Sequence, residues 1–136
     1  MPVPILFLAA ALTLAVLDAV MLTAFMAPFF RSQIGHLMLG TPRALPALIF
    51  YAGYIAGLTA LVTRPALRAG SAGQAALMGG VLGLTAYGTF EFTALALLAD
   101  WTWGMAVTDT LWGGVLTGAA AWVAVWAAVR LGYGGR

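Results

Sequence analysis

Three carboxylates stand where so apolar a chain can least easily carry them. Asp18, Glu91 and Asp109 each interrupt a long hydrophobic run. An ionisable group at the centre of a membrane-spanning helix costs at least ~2.5–3.5 kcal/mol on insertion scales, so it needs a partner or a cavity. Such groups mark proton relays, ion sites and pockets for polar headgroups. A polar stretch from Phe29 to Arg43 supplies the nearest basic groups, Arg31, His36 and Arg43. Two readings are open. Either the acids pair with Arg31 and Arg43 and only hold helices together, or the same groups line a pocket for a headgroup, a proton or an ion. Asp109, about one turn into its run, also suits a helix N-terminal dipole, and His36 suits a solvated loop.

Other chemistries lack their residues. The chain has no cysteine, which removes disulfides and thiol chemistry, and its one histidine removes every His-pair metal motif. No nucleophile arrangement, phosphate-binding loop or dinucleotide fingerprint is present, so no residue is assigned a catalytic role, and no cofactor or metal is implied. Gly79-Gly80 and Gly113-Gly114 lack the strand–turn–helix setting of a phosphate loop and read as packing glycines. Six basic residues against four acids give a net charge of +2 without any basic patch interleaved with aromatics, which argues against nucleic acid.

The elements that must carry these acids follow from composition. Hydrophobic residues make up 63% of the 136 and charged residues 7%. A soluble domain carries about 25% charged residues, so the solvent for most of this chain is lipid. A helical span needs about 20 mostly apolar residues. Four such stretches are present, at about Val3–Met26, Leu45–Thr63, Gln74–Ala99 and Met105–Val129. Ala27-Pro28 and Arg64-Pro65 are read as closing the first two, because proline does least harm at helix ends. The first run has no basic flank, is long for a signal peptide and contains Asp18, so it reads as a retained helix. Continuous rather than alternating apolarity excludes a β-barrel. The expectation is an all-α membrane protein, an antiparallel four-transmembrane-helix bundle forming one domain over 1–136.

Depth counting brings the acids together. Asp18 and Glu91 lie about eight residues before the ends of spans that travel toward the first and third connections, and Asp109 lies just inside the span leaving the third. At roughly 1.5 Å per residue, all three fall within about 6–12 Å of one surface. On the third helix Gly80, Leu84, Tyr87 and Glu91 share a stripe, so Tyr87 can donate toward the acid layer. Asp109, Trp112, Gly113 and Leu116 share a face of the fourth. Tyr51 and Tyr54, like Trp101 and Trp103, read as interfacial belt residues. Trp122 and Trp126, one turn apart, read as lipid-facing or interfacial bulk. Gly53/Gly57, Gly79/Gly83 and Gly114/Gly118 have the spacing that lets membrane helices approach closely, within one chain or between chains.

With an even number of spans both termini share a side. Arg64, Arg68, Arg130 and Arg136 lie there, against Arg31 and Arg43 opposite, so the positive-inside rule places the termini in the cytoplasm.

Several strings carry a family resemblance: Phe30-Arg31, Gly35-His36-Leu37, the run Tyr51 to Leu58, Pro65-Ala66-Leu67, Tyr87 to Thr93, and Thr108 to Gly113. In that order, over nearly the whole chain, they resemble a bacterial family of small predicted membrane proteins of unknown function, the DUF2177-like proteins. The family's first-helix Asp is matched by Asp18, its Arg and Gly-His by Arg31, Gly35 and His36, and its Asp before Trp-Gly by Asp109, Trp112 and Gly113. Where the family reads Tyr-Asp-Leu-Thr-Asn, this chain has Phe90-Glu91-Phe92-Thr93-Ala94, keeping an acid but losing the amide. The resemblance implies the fold, a shared polar layer and, through association with lipid-modification genes, a lipid partner.

The expected function is that of a small bacterial inner-membrane protein. Its outward polar layer of Asp18, Arg31, His36, Tyr87, Glu91, Asp109 and Trp112 would bind a lipid headgroup or small amphiphile, with Arg31 meeting an anionic group. It would serve as an accessory or processing factor in lipid metabolism. A dimeric proton-coupled carrier titrating Glu91 or Asp18 is the alternative, and a structural subunit of a larger complex or homo-oligomer is a third. Whether the chain is an enzyme stays open.

Overall fold

A computed structural model describes residues 1–134; Arg136, counted in the orientation argument, lies outside the described residues. The fold is all-helical, with four helices long and apolar enough to cross a membrane: α1 (Val3–Leu37), α2 (Ala44–Arg68), α3 (Ala72–Leu97) and α4 (Trp103–Arg130). Among the described residues there is no strand.

The third and fourth helices begin and end within two residues of expectation, and each start has a local cause. The Ser71 hydroxyl accepts a hydrogen bond from the Gln74 N–H at 3.0 Å, and the Thr102 hydroxyl accepts one from Met105 N–H at 3.2 Å. Each satisfies a donor left free by the first turn.

The first and second helices run on past their prolines, which corrects the boundaries at Met26 and Thr63. Each proline follows a π turn: Leu22–Met26 before Pro28, and Thr59–Thr63 before Pro65. In both, the residue just ahead of the proline donates its N–H five residues back, Ala27 to Leu22 and Arg64 to Thr59. Proline lacks an N–H and its ring presses on the carbonyl four residues earlier. Widening the preceding turn relieves that pressure without ending the helix. Nearby, Thr23 and Thr59 bond back to the carbonyls of Ala19 and Ile55, a habit that also bends helices.

The centre of the bundle is α4: 56% of its most apolar stretch is buried, against 17–22% for the other three. Its largest interface is with α3, and glycine makes that contact possible. A Cβ on Gly79 would meet the Ala121 Cβ at 2.8 Å and the Thr117 carbonyl at 2.9 Å, and one on Gly118 would meet the Ala76 carbonyl at 2.9 Å. A Cβ on Gly83 would fall on the Gly113 backbone. Backbones this close are how lipid-embedded helices gain packing energy. Two of the three glycine pairs therefore work within the chain. The third does not: Gly53 and Gly57 have open space where a Cβ would go.

The apolar core, built around Leu6, Leu14, Leu58, Leu116 and Val125, is contributed by α1, α2 and α4. In α2 it reaches only the half nearest the termini. From Ala44 to Phe50 every residue is exposed, whereas Ile55, Leu58, Val62, Ala66 and Leu67 are buried. The outer half of α2 thus stands away from its neighbours, next to the layer where the acids lie.

Candidate functional site

Three helices meet at Asp18. Its side chain, 7% exposed, accepts from the Tyr51 hydroxyl of α2 at Oδ2 and from the Trp112 indole N–H of α4 at Oδ1, 3.2 Å away. Both partners are local products of helix geometry. Tyr51 lies seven residues into α2 and Trp112 nine into α4, so each comes about 10–14 Å in from the outer end, level with Asp18. The Asp18–Tyr51 bond is one of the few links holding the splayed half of α2 to the bundle.

Glu91 is fully buried. Its Oε2 accepts the indole N–H of Trp101 at 2.8 Å, while Oε1 is buried with no hydrogen-bond partner. Trp101 reaches back over the acid from the third connection and is held edge-on between Phe30 and Phe90, ring centroids 5.9 and 5.6 Å away. Asp109 is the neighbouring carboxyl, within hydrogen-bonding reach of Glu91, so that a proton on either acid would bridge the pair, and it also feels the charge of Asp18. Most buried polar atoms in proteins find a partner; among the described residues the side-chain exceptions are Glu91 Oε1 and Thr110 Oγ1, and only the first belongs to an ionisable group.

Three cavities surround this layer. The largest, about 540 Å³, has Glu91 and Asp109 in its wall; its apolar lining includes Leu22 and Met26 of the α1 π turn, Phe30, and Met38 of the first connection. A second, about 430 Å³, lies between the outer half of α2 and α3, lined by Phe50, Tyr51, Tyr87, Phe90 and Asp109. Phe90 and Asp109 belong to both, so the two spaces adjoin. The third, about 300 Å³, sits on the α1 side of α2 and reaches Asp18 and Tyr51. The chemistry is acidic groups at the base of apolar clefts that open beside a loosely attached helix.

Of the seven residues singled out from the sequence, the structure gathers five: Asp18, Glu91, Asp109, Trp112 and Tyr87. The Tyr87 ring packs on Gly113 and, edge-on, against Tyr54 at 6.1 Å; its hydroxyl forms no hydrogen bond to an acid. Tyr54 turns instead to Thr117, with their hydroxyls 2.7 Å apart. The other two lie apart. Arg31 is exposed on the distal part of α1 and pairs with no acid. His36 Nε2 lies 2.9 Å from Asp100 Oδ2, a 60%- and 55%-exposed pair linking the last turn of α1 to the third connection above the site. Pairing of the buried acids with Arg31 and Arg43 is therefore not what holds the helices together. Uncharged donors meet two of the acids instead, Tyr51 and Trp112 at Asp18 and Trp101 at Glu91.

Tyr51 and Trp101 are the site residues that the sequence reading missed by assigning them to an interfacial belt. For Tyr51 a signal existed, since the same depth count that aligned the acids places it at their level. For Trp101 none did: its approach to Glu91 depends on the extended residue Leu98 turning the chain back. Among the described residues, no three His, Asp or Glu side chains come together as metal ligands would.

No curated protein and no solved structure matches the chain. A family model described as predicted membrane protein (DUF2177) matches residues 3–126. The chain belongs to that family of membrane proteins.

Proposed function

We propose that this protein binds the polar head of an amphiphile in its acidic intramembrane layer, with the apolar tail lying in the clefts beside α2. The observation that carries the reading is Glu91 Oε1, buried without a hydrogen-bond partner beside Asp109, in the wall of a largely apolar cavity of about 540 Å³. A ligand that supplies that donor removes the cost of an unsatisfied buried group, about 1–3 kcal/mol. The matching head bears an ammonium or hydroxyl donor rather than a phosphate, because the layer holds three carboxyls and no arginine. This replaces the expectation that Arg31 receives an anionic group, because Arg31 lies exposed on the distal part of α1, away from the acids.

The setting proposed is a bacterial inner membrane with both termini in the cytoplasm, which the arginine distribution supports, and a role as an accessory or processing factor in lipid metabolism. A second reading, a proton-coupled carrier acting as a dimer, draws on the neighbouring Glu91 and Asp109 carboxyls, since such groups also form relays.

The test is thermal stabilisation of detergent-solubilised protein by dodecylamine, with dodecyl phosphate as counter-probe. Dodecylamine is expected to stabilise the native chain, E91Q and D18N to lose the effect, and Trp126→Ala to keep it. Equal shifts from both probes, or in all variants, refute the reading. Glu91-dependent proton uptake into liposomes without any amine response favours the carrier.

A further inference from the structure

The end of the bundle that carries the termini has a cavity of contrasting chemistry. About 350 Å³ in volume, it lies between the start of α1, the last turn of α2 and the segment after α4; Arg64, Arg68 and Tyr133 provide its polar groups and Pro2, Val3 and Leu67 its apolar ones. We infer that this cavity is a seat for a phosphate-bearing anion, either the head of an anionic phospholipid or a free phosphate.

Four observations converge. Arg64 and Arg68 are one turn apart on α2, so both guanidinium groups reach the same cavity. Neither has an acidic partner: among the described residues the ion pair formed is that of His36 with Asp100. All four acids of the chain, Asp18, Glu91, Asp100 and Asp109, lie toward the opposite end. Nor are the arginines occupied in closing α2. Gly70, at φ 66°, makes the left-handed turn in which Ser71 N–H bonds to the Ala66 carbonyl and Gly70 N–H to the Leu67 carbonyl, so the helix end is capped by its own backbone. Arg130, the other described arginine at this end, is engaged over the Trp126 ring at 5.2 Å.

The chemistry follows from the group types. Guanidinium forks match phosphate oxygens in pairs, which makes arginine suited to fixed recognition rather than diffuse attraction. The phenol of Tyr133 adds a neutral donor at the rim. Pro2, Val3 and Leu67 offer the apolar surface that a glycerol backbone and the first methylenes of an acyl chain would cover. The cavity is thus polar on one side and greasy on the other, as a headgroup joined to its tails requires.

The experiment measures binding of phosphatidylglycerol to the full chain in maltoside micelles, with phosphatidylcholine and inorganic phosphate as separate arms. Surface arginines in general are worth about 1 kcal/mol each toward anionic lipid, or roughly fivefold in affinity. R64Q/R68Q is expected to weaken phosphatidylglycerol binding by well over the roughly 30-fold that two diffuse surface charges would give, while R130Q loses no more than the roughly fivefold of one such charge. Inorganic phosphate competing at millimolar concentration would identify the occupant as free phosphate; failure to compete would identify it as lipid. Equal binding of the choline lipid, or an equal loss in R130Q, overturns the inference in favour of diffuse surface charge. If R64Q/R68Q does not fold, each single variant must weaken binding by more than about fivefold and by more than R130Q does. The dodecylamine response of the acidic layer is read separately in the same preparations, so failure at one end leaves the other untouched.

Discussion

Replacing Glu91 by methionine is expected to make the ligand-free protein more stable while abolishing its response to an amine amphiphile. Methionine is unbranched, of similar length and adaptable to irregular space, so the void at a fully buried position stays filled. The substitution removes a buried oxygen that has no donor, relieving about 1–3 kcal/mol and more if the group is charged. It also takes the acceptor from the Trp101 indole. That loss is limited to about 1 kcal/mol, because Trp101 is only half-buried and can turn its N–H to water. The balance is a gain of up to about 2 kcal/mol. Reversible unfolding in mixed micelles of maltoside and dodecyl sulfate measures it, and dodecylamine titration of the same samples measures the lost response. A destabilisation of about 2 kcal/mol or more would refute the reasoning, because it would make the carboxyl a structural group whose free oxygen costs nothing.

Other substitutions probe the frame around the site. Tyr51→Phe leaves Asp18 with only the Trp112 donor and is expected to cost about 1–3 kcal/mol; in a double-mutant cycle with Trp112→Phe the two losses should be non-additive, since both serve one carboxylate. Gly83→Val puts a branched side chain onto the Gly113 backbone and should cost at least about 1–3 kcal/mol by unfolding in micelles. Gly53→Ala, where a Cβ meets open space, should instead stabilise by about 0.5–1 kcal/mol. Asp100→Asn removes an exposed pair with His36 and should change stability by less than about 1 kcal/mol; a larger loss would mean that the end of α1 and the third connection are locked together rather than merely adjacent.

The fold was legible because its signals are long. Runs of about 20 apolar residues survive errors at their ends, and Glu91 and Asp109 can be levelled by counting from them. Asp18 is levelled from Met26, although α1 runs on to Leu37, and its bonds to Tyr51 and Trp112 are what place it. Short-range conflicts were not legible. Pro28 and Pro65 read as stops, and only the backbone shows that a π turn ahead of each absorbs the missing donor. The neutral partners of the acids were hidden for a related reason. Tyrosine and tryptophan near a membrane surface have a generic role there, and nothing in the spelling of residues 98–102 says that the chain doubles back to lay Trp101 over Glu91. The arginines misled in the opposite way. Their charge made Arg31 and Arg43 the natural partners of buried carboxylates, yet both are exposed, where water solvates them at no cost.

Each π turn also sets a phase. A single surplus residue advances everything beyond it by about 100° around the helix axis, and in α1 that rotation carries Phe30, on the far side of Leu22–Met26, to the cavity that contains Glu91. Dropping one residue from this turn would keep the span long enough to cross the bilayer yet swing its distal aromatic rings out of alignment with the acids. Homologues of this chain should therefore preserve the length of that stretch more strictly than its lettering.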